Sequence, residues 1–293
     1  MKVHLIDGTY ELFRQHFGAV AARKGSDTGP AAYAATIGVL SSTLALLGDG
    51  ATHVGVASDH VIESFRNELW PGYKTSAGMP PELLGQIPIM EDALVAMGVT
   101  CWPMVEWEAD DALGAAAAIA AADQRVTQVV ICTPDKDLGQ CVVGDRVVQW
   151  DRRKGETLDA DGVRAKFGVG PASIADYLAL VGDAADGYPG LPGWGAKSAS
   201  GVLARYGRIE DIPLEAHDWD VPGVRGVPKL VATLRSHMAD ALLFRRIATV
   251  ELDVPVGAVD DWRWLGPADR FDEVVRRLGA PDLARRAAAL APR

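Results

Sequence analysis

Residues 108–137 read EADDALGAAAAIAAADQRVTQVVICTPDKD, and the order of textures within this run decides the fold. The Ala/Leu-rich stretch from Ala109 to Ala122 opens on acids and is long enough for a crossover helix. Thr127 to Thr133 is short, apolar and β-branched, which predicts a strand, and Pro134 then breaks the chain just before Asp135. Outward from this run the same alternation repeats. Lys2 to Ile6, Ala51 to Ala57 and Arg146 to Trp150 have the strand texture, and Ala31 to Leu47 is a second crossover-length helix. The pattern predicts an α/β domain with a mainly parallel sheet flanked by helices. Asp7, Asp59 and Asp135 each fall just past the C-terminal end of a strand, the edge at which open α/β sheets place their ligand sites.

Two regions depart from the alternation. Val61 to Gln86 carries Arg66, Trp70, Tyr73 and Lys74, then Gly78, Pro80 and Pro81; it reads as a surface connection or as a mobile cationic lid. After Asp151 the chain turns to helices with glycine-rich joints, and Asp218 to Val227 reads as a loop before a last helical stretch.

Composition sets outer limits. A chain of 293 residues, 48% of them hydrophobic, can bury a sizeable core in one large domain or in one domain with an appended module. No apolar run approaches the roughly 18 residues of a membrane helix, and Met1 to Ile6 runs into Asp7 without a signal-peptide pattern, so a cytoplasmic, non-membrane protein is expected. Cys101, Cys132 and Cys141 lack metal-ligand spacing and read as reduced core residues. The net charge of −10 runs against the basic footprint of a DNA-binding protein. Setting aside the nine carboxylates discussed next leaves a chain close to neutral, so local basic patches must decide.

Those nine carboxylates fall into five groups: Asp7 in LIDG, Asp59 in ASDH, Glu108, Asp110 and Asp111 in EADD, Asp135 and Asp137 in TPDKD, and Asp183 and Asp186 in GDAAD. Each has a purely structural alternative. Acids in a helix's first turn complement its dipole, Asp135 and Asp137 can form a turn after Pro134, and Asp183 and Asp186 can end a helix. Jointly they point towards one edge of one sheet, where carboxylates without a cation would repel. Hard divalent cations such as Mg²⁺ need oxygen ligands from several chain segments. None of the six histidines falls in a recognisable nucleophile or zinc motif.

The order LIDG, ASDH, EADD, TPDKD and GDAADGYPGLPGWGAK resembles the 5′-nuclease family, which includes phage 5′ exonucleases, flap endonucleases and the N-terminal domain of bacterial DNA polymerase I. The likeness extends to LLFRRIATVELDVPV at 242–256, and with no polymerase domain following, the chain resembles a stand-alone member. The resemblance implies a PIN-like (resolvase-like) nuclease domain over 1–170 with a helical arch at about 60–90, a helix-three-turn-helix module over 171–255, and a C-terminal helical segment, 256–293, packing back. It implies a structure-specific 5′ nuclease of replication and repair, cutting DNA at 5′ flaps and 5′ ends with two or more Mg²⁺ or Mn²⁺ ions. Asp7, Asp59, Glu108, Asp110 and Asp111 match a first-metal set, adjoined by Asp135 and Asp137; Asp183 and Asp186 match carboxylates that complete a second.

DNA handling is implied in the same way. Lys74 and Arg66 match cations that neutralise the scissile phosphate, Arg14 matches another cation at the arch base, and Tyr73 is placed to stack on an unpaired base. The joint from Pro189 to Lys197, with Gly190, Gly193 and Gly195, allows close backbone approach and offers helix-start amides to a phosphate; in the family this element also binds K⁺. A Gly/Pro-rich helical joint is its structural alternative. Lys197, Arg205 and Arg208 supply local positive charge. The expected partner is DNA with a free 5′ end, flap or junction, bound by a monomer; the resemblance names no protein partner. Two positions depart from the family: Gly187 stands where many relatives have Asn, which should change only a turn, and Ala77 where several carry an arch arginine. A PIN-type ribonuclease and a non-catalytic DNA-junction binder are the alternatives, the first disfavoured by the Gly190–Lys197 element and the second by the intact carboxylates.

Overall fold

The computed structural model describes residues 1–22 and 32–292. Ala31, the first residue of the expected second helix, lies outside the described residues. The first half runs β1 (Lys2–Asp7), α1 (Gly8–Ala22), α2 (Ala34–Gly48), β2 (His53–Asp59), α3 (Arg66–Leu69), α4 (Pro81–Leu84), α5 (Ile87–Ala96), β3 (Thr100–Met104), α6 (Ala109–Ala122) and β4 (Gln128–Cys132). The second continues with β5 (Val147–Asp151), β6 (Glu156–Leu158), α7 (Ala160–Phe167), α8 (Ile174–Val181), α9 (Ala196–Tyr206), α10 (Val227–Ser236), α11 (Met238–Ala248), α12 (Phe271–Arg277) and α13 (Asp282–Leu290). These elements divide into two compact units: Met1–Ile62, Ser76–Thr133 and Leu252–Arg293 form the first, Glu63–Thr75 and Pro134–Glu251 the second.

The first unit is built on four parallel strands. β1 pairs with β2 on one side (Asp7 opposite Ala57) and with β4 on the other (Ile6 opposite Cys132), and β2 pairs with β3 (Asp59 opposite Met104). All seven residues of β2 are buried, as expected of a strand covered on both faces by crossover helices. Pro103, which has no N–H to give a ladder, sits in β3, which ends this row of four. Gly55 is required in β2 because a Cβ there would enter the Trp102 ring. Trp102 meets Trp262 edge-on at 5.4 Å, and the buried Trp264 indole donates to the Met97 carbonyl at 2.9 Å. These two tryptophans seat the C-terminal stretch on the unit's core.

Behind the end of β2 lies a buried polar knot. Glu91 of α5, 6% exposed, accepts from the Ser58 hydroxyl at 2.7 Å and lies 2.7 Å from His60 Nδ1. It therefore grips both neighbours of Asp59. Replacing Glu91 by Ala strands the Ser58 donor and removes the His60 partner. We expect a loss of about 2 kcal/mol, the scale of hydrogen bonds to a charged group, read from urea unfolding; a change under about 0.5 kcal/mol, the range of ordinary surface substitutions, would show that the knot does not hold the strand end.

The second unit is mostly helical, with the β5–β6 antiparallel pair (Trp150 opposite Thr157) at its start. Its core gathers Tyr188, Leu191, Trp194, Leu203, Leu234 and Phe244. Tyr188 stacks on Phe244 at 5.6 Å, and Trp70 meets Phe244 edge-on at 5.1 Å. The stretch expected to form an arch, at about 60–90, holds the four-residue helices α3 and α4 before α5 begins at Ile87, and its first part, Glu63–Thr75, belongs to this helical unit. Residues 134–170, read from sequence as part of the nuclease domain, also belong to the helical unit by their contacts. Among the described residues, no helix is long and apolar enough to cross a membrane.

Candidate functional site

In the first unit, each strand-end acid is tied to the backbone beside it. Asp7 is 7% exposed; its Oδ1 accepts from the Tyr10 amide at 2.8 Å and its Oδ2 from the Thr133 hydroxyl at 3.0 Å. Gly8 must follow it, since a Cβ there would come 2.7 Å from the Ala57 carbonyl oxygen. Asp59 accepts from the Ala109 amide at 2.8 Å, which fixes the start of α6 against the end of β2. Glu108 and Asp111 form a reciprocal capping box at that start, the Glu108 amide donating to Asp111 Oδ2 at 2.9 Å. The structural alternative for Asp111 is thus realised, and its side chain is fully buried. Asp110, between them in sequence with Ala109, is half-buried. Taken alone, these five do not bring three ligand atoms within 4.8 Å of one another among the described residues.

The second unit holds the tighter cluster. One oxygen from each of Asp137, Asp183 and Asp186 lies within 4.8 Å of the other two. Asp137 follows a turn closed by its own amide donating to Asp135 Oδ1 at 2.9 Å. Asp183 and Asp186 sit on a tight loop after α8, in which the Gly187 amide donates to the Asp183 carbonyl at 2.9 Å and the Asp183 amide to the Tyr188 carbonyl at 2.8 Å. The loop's base is two glycines face to face: Gly182 and Gly190 both have positive φ, and a Cβ on either would collide with the backbone of the other. Gly187, expected to alter only a turn, is equally constrained. Its φ is +82°, and a Cβ there would collide with the Gly72 carbonyl oxygen. The Gly187 carbonyl in turn accepts from the Trp70 indole at 3.0 Å, and the Lys74 amide donates to the Asp186 carbonyl at 2.9 Å.

The electrostatics of this cluster call for a cation. Asp137 Oδ1 is buried and has no hydrogen-bond partner, a costly state for a carboxylate. Burial first, then the charges of Asp135, Asp186 and Asp183, push its carboxyl well above the usual carboxylate range. Two lysines offset part of the charge: Lys74 Nζ is 3.1 Å from Asp186 Oδ1 and Lys136 Nζ is 2.7 Å from Asp183 Oδ2. Burial works against the Lys136 charge, but Asp183, Asp137 and Asp135 outweigh it and hold the ammonium above its ordinary value. The all-oxygen donor set and the unpartnered buried oxygen fit a hard divalent ion. The Tyr188 hydroxyl, also buried without a partner, is pushed up by burial and by the same acids.

Three expectations from sequence are corrected or qualified. Arg66 is 3% exposed and caps the end of α11, its Nε donating to the Ile247 carbonyl at 2.8 Å and its Nη2 to the Thr249 carbonyl at 3.0 Å. It serves as a structural cap rather than as an open phosphate ligand. Tyr73 is 4% exposed within the helical unit's core, rather than presented on the surface as stacking on a base would require. Arg14 is held one turn back by the buried Glu11 at 2.5 Å, which makes it a counter-ion first.

The helical joint from α8 to α9 is present as expected, with Gly190 used at the loop base, Gly193 in left-handed conformation and Gly195 as the N-cap of α9. A Cβ at Gly195 would meet nothing within 4 Å, so its backbone is open to approach. Lys197 lines an open cavity of about 670 Å³ together with Gly193, Gly195, Ser198 and Arg225. Arg225 and Lys136 were not singled out from sequence. Arg225 lay in a stretch read only as a loop, and Lys136 was visible between two acids but its reach to Asp183 was not.

Two family models match in tandem: a 5′-3′ exonuclease N-terminal resolvase-like domain over residues 2–168 and a 5′-3′ exonuclease C-terminal SAM fold over 169–270. The chain is 35% identical over 272 residues to DNA polymerase I of Pseudomonas aeruginosa, covering 91% of this chain and 29% of that one. It is 33% identical to DNA polymerase I of Bacillus caldotenax, covering 90% and 30%. It thus spans under a third of the length of these relatives. The fold is similar to bacteriophage T5 D15 flap endonuclease solved with DNA and metal ions (TM-score 0.66, 19% identity, 97% and 100% covered). It is also similar to flap endonuclease-1 from Methanococcus jannaschii (TM-score 0.59, 16% identity, 99% and 91% covered).

Proposed function

Because the chain belongs to the 5′-3′ exonuclease family, both of whose domain models it matches, we propose that it is a structure-specific 5′ nuclease that hydrolyses DNA phosphodiesters at 5′ flaps and free 5′ ends. The observation that carries the reading is the Asp137, Asp183 and Asp186 cluster with its buried, unpartnered carboxylate oxygen. Bound divalent ions, Mg²⁺ or Mn²⁺, would supply Lewis acidity to the phosphate and lower the pKa of an attacking water. Asp137, Asp183 and Asp186 provide oxygen ligands for one ion, with Asp135 adjoining. Asp7, Asp59, Glu108 and Asp110 are the proposed acids of the other, and Asp111 fixes Glu108 through the capping box. Lys74 offers positive charge to the scissile phosphate. Lys197 and Arg225 hold the duplex backbone, with the open amides around Gly195 as further phosphate donors and the same joint as a K⁺ site. The protein is proposed to act as a monomer in the cytoplasm.

The direct test is a 5′-flap duplex labelled at each end and incubated with and without Mn²⁺. Metal-dependent products released from the 5′ side are expected; binding without any product would make the chain a junction-binding protein, and preferential cutting of a matched RNA flap would make it a ribonuclease. The metal set has its own test. Asp186→Asn should raise the metal concentration needed for half-maximal rate by about tenfold or more, since a charged ligand becomes a neutral one. An unchanged titration would leave Asp186 as a turn residue paired with Lys74.

A further inference from the structure

Asp183 has both carboxylate oxygens engaged by the chain itself. Oδ1 accepts from the Ala185 amide at 2.9 Å, and Oδ2 pairs with Lys136 Nζ at 2.7 Å. The carboxylate is 4% exposed and the Lys136 side chain 36%, so water screens this pair only from the lysine side. Lys136 is carried there by the same turn that presents Asp137: the Asp137 amide closes onto Asp135, and the Gly139 amide donates to the Lys136 carbonyl at 3.0 Å. The cluster therefore contains one carboxylate oxygen with no partner, on Asp137, and two held by ammonium groups: Asp183 Oδ2 closely by Lys136 and Asp186 Oδ1 at 3.1 Å by Lys74.

We propose that Lys136 is the resident counter-ion of Asp183 in this cluster: it neutralises Asp183 in the metal-free protein and competes with the divalent ion for Oδ2, so that it sets how tightly that ion binds. The proposal rests on the metal reading above. An entering ion must either share Asp183 with a positive charge a few ångströms away or expel the ammonium and forfeit a short charge-assisted hydrogen bond. Both routes weaken binding. In return the acids are not left wholly uncompensated when no metal is present. Lys136 is in this sense a positioning residue, acting on the ion through Asp183.

The test uses the full chain, Ca²⁺ as the probe and no DNA. Calorimetric titration of Lys136→Met should show Ca²⁺ bound about tenfold more tightly than by the wild type, while Lys136→Arg, which keeps the charge, stays near wild type. In EDTA, Lys136→Met should melt several degrees lower than wild type, and Ca²⁺ should raise its Tm by more. In an Asp183→Asn background, Lys136→Met should no longer change Ca²⁺ affinity, because the coupling runs through that carboxylate. If Lys136→Met is too unstable in EDTA, Lys136→Gln against Lys136→Arg gives the same comparison in Ca²⁺. Equal or weaker Ca²⁺ binding by the neutral variants, or tightening that persists without Asp183, overturns the role of Lys136. A wild type that binds no Ca²⁺ overturns the metal reading and this proposal with it.

Discussion

Asp137→Asn is expected to lower cleavage by about 10³-fold, comparable with the loss of one preorganised charge-stabilising group, while making the metal-free protein more stable. The two effects have one origin. Burial and the neighbouring Asp135, Asp186 and Asp183 charges raise the Asp137 carboxyl above its ordinary value of 3.8, so the folded chain resists ionising it. A group raised in this way contributes stability below its unfolded value, and that contribution is lost as pH climbs through the folded value. Asparagine keeps the shape and has no charge to lose. Urea unfolding in EDTA at pH 8 should therefore favour the variant by about 1–2 kcal/mol, with the gap closing towards pH 4. Wild-type cleavage in saturating metal would remove Asp137 from the site, and equal stability at pH 8 would show that its charge is compensated without a metal.

Lys74→Ala and Lys197→Ala should have opposite phenotypes. Lys74 stands at the acidic cluster, 3.1 Å from Asp186, where charge would rearrange in the proposed phosphodiester cleavage. Its loss should cost about 10² in single-turnover rate and little in DNA affinity. Lys197, in the first turn of α9 and lining an open cavity, is proposed to meet the duplex away from the reacting centre and so to contribute equally before and during the chemical step. Lys197→Ala should weaken binding, spare the rate at saturation, and flatten the log-log salt dependence of affinity by about one unit. Should Lys74→Ala lose only affinity, or Lys197→Ala leave both affinity and salt slope intact, the corresponding half of the DNA-handling scheme fails.

What could be read from sequence follows the range of the interactions involved. Strand-end acids were legible because apolar strands and the residues that end them are local patterns; Asp7 and Asp59 do stand at the ends of β1 and β2. The helical joint was legible because Gly190, Gly193 and Lys197 sit within one short run. The burial of Arg66 and Tyr73 is not legible in sequence because the elements they pack against are remote. The Arg66 fork closes on carbonyls at Ile247 and Thr249, and no local rule marks an arginine as the cap of a helix about 180 residues away. The membership of 63–75 in the helical unit is hidden for the same reason. Lys136 shows a further limit: its neighbours on both sides are acids, but the carboxylate it holds lies on another loop.

The contact of Gly72 with Gly187 has a consequence for how such chains can be recombined. Residues 70–74 and the 182–191 loop touch through the Trp70 indole, the Lys74 amide and the backbones of Gly72 and Gly187, and between those two glycines no side chain is present to absorb a change. They form one part of the structure although more than a hundred residues of chain separate them. A chimera that takes the acidic loop from one parent and the lysine-bearing segment from another would bring two unmatched main chains into collision, and viable crossovers should therefore come in pairs that keep both stretches from the same parent.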